Sequence, residues 1–145
     1  WWDVRPHPGF GTVEIRVCDI PITFKEIIAI VALIQGLVVT LINAEPYPDT
    51  HIQILQSNKW QAARYGLDGV YVDPKNFQKL SIKKAIENLF LLVQPALSSL
   101  GSEIYLSKLE EILKGSTGST IKRKLYKNSK DFKHVIKTLI EQFYQ

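Results

Sequence analysis

The segment Ile27–Ile42 constrains the fold most. It reads IIAIVALIQGLVVTLI, apolar except at Gln35, Gly36 and Thr40. Such a run must leave water, into a protein core or into a bilayer. A spanning helix takes about 20 apolar residues. This run is shorter and is broken by Gln35, so a buried central helix is expected, with no membrane. Thr23 followed by Glu26 is a capping-box pair that starts the helix. Glu45-Pro46-Tyr47-Pro48-Asp49 closes it after about Ala44.

Upstream the period changes to two. Trp1–Arg5 reads as a short strand and Pro6–Gly11 as a loop, since two prolines and two glycines punctuate it. Thr12–Cys18 alternates, with Val13, Ile15 and Val17 on one face and Thr12, Glu14, Arg16 and Cys18 on the other. Together these predict an antiparallel hairpin. A lone hairpin is marginal in water, so the two strands are expected to complete a larger antiparallel sheet. The chain has no Met and opens inside this strand. The expectation is a single fragment, residues 1–145, of a longer protein, with a hairpin over 1–20 and a helical layer over 22–145.

Four more helices are expected. One runs His51–Tyr65, with Gly66 as its C-terminal residue. Leu67–Asn76 is a loop or short strand. Ser81 caps a third helix that Pro95 should kink or end. Ser102 caps a fourth, through about Leu113. The last starts at Asp131 and carries Phe132, Val135, Ile136, Leu139, Ile140 and Phe143 at three-to-four spacing. The fold class is α+β, a hairpin followed by about five helices.

The net charge of +4 is concentrated late: residues 121–145 hold seven Lys/Arg against two Asp/Glu. With no nucleic-acid-binding motif beside it, this is read as a solvated helix face. Cys18, the single cysteine, cannot form an internal disulfide, which fits a reducing, cytoplasmic compartment. Without a base it reads as a small packed residue. His7, His51 and His134 lack metal-ligand spacing, which argues against zinc. Gly115–Thr120 (GSTGST) lacks the Gly-Lys-Ser/Thr ending of a phosphate loop and reads as a linker.

If the polar faces of the two strands coincide, Arg5, Glu14 and Arg16 project together. That grouping suits a salt-bridged solvent face. It also suits a phosphate and metal site, with guanidinium forks on phosphate oxygens and the carboxylate on a hard cation. Arg64 could reach a substrate carboxylate or stack on Trp60 four residues earlier. Asn58 could bind substrate or pin the preceding loop.

The segment WDVRPHPGFGTVEIRVCD, Trp2–Asp19, resembles the carboxylate–amine ligases that include the type 2 glutamate–cysteine ligases, which share the glutamine synthetase-type fold. A second stretch, Asn58-Lys59-Trp60-Gln61-Ala62-Ala63-Arg64-Tyr65-Gly66-Leu67-Asp68-Gly69 followed by Asp73-Pro74, resembles the same family at the same spacing. Near Gly118 the chain departs: relatives show Gly-Ala and then Gln, where this sequence reads Gly118-Ser119-Thr120-Ile121-Lys122.

The resemblance implies the C-terminal part of an ATP-dependent ligase that makes an acyl phosphate and then an amide. It implies Glu14 as a Mg2+ ligand, Arg5 and Arg16 as catalytic, phosphate-facing cations, and Arg64 and Asn58 as further binding candidates. It implies ATP and Mg2+ as cofactors, and glutamate with an amine such as cysteine as substrates. The partner is then the rest of the same enzyme, with a homodimer possible and no nucleic acid. The rival reading is a non-catalytic helical interaction or dimerisation module. The two differ at Glu14 and Arg16, which should line a concave site in an enzyme and be salt-bridged or solvated in the rival.

Overall fold

The computed structural model describes residues 3–42, 44, 45, 49–114 and 117–144. It is α+β, with two small antiparallel sheets and six helices. β1 (Val4–His7) pairs with β2 (Thr12–Ile15). The expected first strand is shifted: Trp1 and Trp2 lie outside the described residues, and Pro6 and His7 extend the ladder rather than open the loop. Pro6 is tolerated on a two-stranded edge, where its missing N–H costs no ladder bond.

The Thr23 cap forms as the sequence predicts, while the Glu26 side chain reaches one residue before the cap. Glu26 N–H donates to Thr23 Oγ1 (3.2 Å), and the buried Glu26 carboxylate accepts from the backbone of Ile22 (2.8 Å). α1 then runs Phe24–Ile42. It is not buried all round. Ala29, Ala32 and Gly36 face the interior, while Val31, Val38, Leu41 and Ile42 are exposed. By length and composition alone α1 is also long and apolar enough to cross a membrane.

α2 (Ile52–Tyr65) ends at Gly66, whose φ of 59° takes the left-handed value that favours glycine. A second hairpin follows: β3 (Val70–Val72), within the stretch expected to be a loop or short strand, pairs with β4 (Lys79–Ser81), which the sequence does not predict. Ser81 caps α3 (Ile82–Ser99) by accepting from Lys84 N. Pro95 does not end this helix. The four residues beyond it include Ala96 and Leu97, buried in the core, and that burial outweighs one missing hydrogen bond.

Ser102 does not cap the next helix. It precedes a 3-10 turn, Glu103–Tyr105, and α4 spans Leu106–Lys114. The expected linker is a helix start: Thr117 accepts from Thr120 N and caps α5 (Gly118–Ser129), a helix absent from the sequence reading. Gly115 and Ser116 lie outside the described residues. Asp131 caps α6 (Phe132–Gln142), as expected.

The core sits where α1 crosses α3 and α4. Ala32, Val93 and Leu97 form one cluster, and Ala29, Phe90 and Leu109 the other. Gly36 allows the close approach: a Cβ there would stand 2.9 Å from Leu97 Cδ2.

Candidate functional site

The β1–β2 loop is tight. Phe10 N donates to His7 O and Gly11 N to Pro8 O, with Gly11 at φ 60°. This turn sets the register, which places Arg5 directly opposite Glu14. Cross-strand partners share a face, and residues two apart on a strand do too. Arg5, Glu14 and Arg16 therefore project together, as alternation predicts.

Their contacts are direct. Arg5 Nε donates to Glu14 Oε2 at 2.8 Å, and Nη2 lies 2.6 Å from the same oxygen. Arg16 Nε stands 3.7 Å from Glu14 Oε1. All three side chains are about 40% exposed (45%, 42% and 38%), so the group is open to incoming ligand. One carboxylate between two guanidinium groups leaves a local excess of positive charge, which suits an anion.

Two residues that the sequence reading did not select complete this face. Asp3 lies two residues before Arg5, and its backbone carbonyl accepts from Arg16 N at 2.8 Å. Lys59 of α2 reaches across to the Asp3 carboxylate, 2.8 Å from Oδ1 and 2.7 Å from Oδ2. The signal for Asp3 was its alternation with Arg5. Nothing in the sequence pattern pairs it with Lys59, 56 residues on.

The other two candidates lie apart from the triad. Asn58 spends its amide on β3: Nδ2 donates to Val72 O and Oδ1 accepts from Val72 N, both at 2.8 Å. This pins the strand that follows rather than the preceding loop expected from the sequence. Arg64 is exposed in the last turn of α2. Trp60 meets Tyr65 edge-on at 5.5 Å. Among the described residues no hydrogen bond or ion pair joins Arg64 to the hairpin. Cys18, expected to be packed, is exposed, because regular pairing ends before it.

The donor set fits magnesium better than a softer metal. Among the described residues no three His, Cys, Asp or Glu side chains cluster as a metal cage. Mg2+ does not need one, since it binds through one or two carboxylates and takes its remaining ligands from phosphates and water. Glu14 supplies such an oxygen donor. The triad itself is a face rather than a cleft. An open groove of about 420 Å³ lies between α3 and α4, lined by Lys83, Glu87, Phe90 and Lys114 among others.

The sequence profile of glutamate–cysteine ligase family 2 matches residues 1–142, and the chain belongs to that family. It is 36% identical over 143 residues to a protein of Gloeobacter violaceus provisionally named glutamate–cysteine ligase 2, covering 96% of this chain and 38% of that protein. Provisionally named glutamate–cysteine ligase 2 proteins of Solibacter usitatus (34% over 146 residues) and Sorangium cellulosum (33% over 146 residues) match 98% of this chain each. They are covered over 38% and 39% of their own length, so the chain spans well under half of these relatives.

Proposed function

We propose that this chain forms part of an ATP-dependent carboxylate–amine ligase of the cytoplasm, with glutamate as acyl donor and an amine such as cysteine as acceptor. Family membership over residues 1–142 carries the proposal. The salt-bridged, open state of Arg5, Glu14 and Arg16 is by itself what the rival reading expects, so under this proposal the concave wall of the site comes from the rest of the ligase. Neither nucleic acid nor a membrane enters the reaction.

A carboxylate oxygen of glutamate attacks the γ-phosphorus of ATP, and ADP leaves with the bonding electrons. The amine then attacks the acyl carbon, phosphate leaves, and the nitrogen loses a proton. Both steps move negative charge among phosphate oxygens, so catalysis depends on placing cations around them. Arg5 and Arg16 offer forks for those oxygens. Glu14 would hold Mg2+, which supplies charge neutralisation at the phosphates. In the free state Glu14 instead neutralises the arginines. An exposed ion pair of this kind is worth about 0.2–1 kcal/mol, so a polyphosphate can displace it.

The 145-residue chain by itself is expected to be inactive, since it spans 38% of the relatives' length. Glutamate-stimulated ATP turnover by that chain would overturn this point. In the intact protein Glu14→Gln and Arg16→Lys should each lower turnover about 100- to 1000-fold without loss of folding. Normal turnover of both variants at ordinary magnesium would reduce the triad to a surface salt bridge.

A second reading, a non-catalytic interaction module, draws on α6. Phe132, Ile136, Ile140 and Tyr144 recur every four residues and are all exposed. Concentration-dependent self-association in sedimentation, abolished by Ile136→Glu, would favour it. A monomer whose sedimentation the substitution leaves unchanged would remove it.

A further inference from the structure

We propose that Lys59 is a positioning residue of the ligation site, acting through Asp3 on Arg16. The inference rests on the assignment of Arg16 and Glu14 to the reaction. It adds two residues which that assignment leaves out.

The connection can be followed bond by bond. β3 holds α2 at two places: the double hydrogen bond between Asn58 and Val72, and Val70 N donating to Gln61 Oε1 at 3.2 Å. Gly69 lets the chain pass close beside α2, because a Cβ there would stand 2.9 Å from Gln61 O. The turn of α2 carrying Lys59 is thus fixed on both sides of that residue. Its ammonium grips both oxygens of Asp3. The Asp3 carbonyl in turn accepts from the backbone N–H of Arg16. A shift of α2 therefore reaches the arginine through one ion pair and one backbone bond.

The ion pair is half exposed, 56% at Lys59 and 46% at Asp3, so it adds little to stability. Its consequence lies in geometry. Within this chain neither strand of the hairpin contains a buried residue, so the helical core does not set its orientation. A misplacement of about 1 Å at a reacting centre can cost on the order of 100-fold in rate.

The test uses steady-state kinetics of the intact protein with ATP, magnesium, glutamate and cysteine. Lys59→Met should lower kcat about 10- to 100-fold, with little change in KM for ATP and an unchanged melting temperature. Asp3→Asn should match it, and the double variant should be no worse than either single, as for two residues acting as one unit. Lys59→Arg should recover most of the rate, since a cation of similar reach restores the grip. Lys59→Met at near wild-type rate, beside a Glu14→Gln that has collapsed, overturns the inference and leaves the proposed function standing. A slow Lys59→Met beside a normal Asp3→Asn also overturns it, because Lys59 would then meet the ligand directly. Normal rates for Glu14→Gln and Arg16→Lys bring down the underlying site assignment instead.

Discussion

The α1–α3–α4 body and the β1–β2 hairpin with α2 both carry regular apolar periodicity, yet they bury it differently. In the helical body Val93 and Leu97 reach 0% exposure and Ala29 1%. In the hairpin and α2 no side chain is buried, and Val13 and Trp60 stay 62% and 55% exposed. The body has spent one side of its apolar surface on itself, leaving Val38 and Leu91 among others exposed. The hairpin has spent none, and turns its charged face toward α2 through Asp3 and Lys59. Stability and proposed chemistry are therefore assigned to different parts of the chain, and substitutions can separate them.

The largest effect on folding belongs in the body. Leu97→Ala empties space between α1 and α3 and should cost about 2–5 kcal/mol. Denaturant unfolding of the intact protein measures it, and turnover per folded molecule should persist. A cost below about 1 kcal/mol would show that this core is loose and would erase the contrast.

An intermediate effect belongs at the joint. Asn58→Ala strips Val72 of both side-chain partners and should cost about 1–3 kcal/mol. It should also raise hydrogen exchange at Val72. Unchanged exchange there would mean that Asn58 does not hold β3, and would return its amide to the list of substrate ligands.

The smallest effect on folding belongs on the hairpin. Arg5→Met removes a half-exposed pair and should change stability by no more than about 1 kcal/mol. A loss matching that of Leu97→Ala would make the charged face a structural element and weaken its assignment to phosphate.

Elements with long periods or strong caps were legible in the sequence. The hairpin followed from alternation, α1 from Thr23 and Glu26, the end of α2 from Gly66, and α6 from Asp131 and its stripe. The second hairpin escaped because strands of three residues are too short to show a period. α5 escaped because it is polar, buries nothing, and begins in a segment whose glycines and serines resemble a linker. At Pro95 the sequence predicts a kink or an end of the helix, and the end fails to occur for a different reason. A local rule about one hydrogen bond was overruled by the burial of Leu97 beyond it.

The sequence by itself determined half of the charged face: alternation assigns Glu14 and Arg16 to one side of a strand, while the register that brings Arg5 opposite Glu14 came from the structure. The alternation is a local consequence of backbone geometry, readable within the strand itself. Only the tertiary structure decided that Lys59 joins that face, that Asn58 serves β3, and that α1 hides one side rather than all of itself. Each of those depends on surfaces brought together from distant parts of the chain, and periodicity says which face of an element is apolar without saying what will cover it.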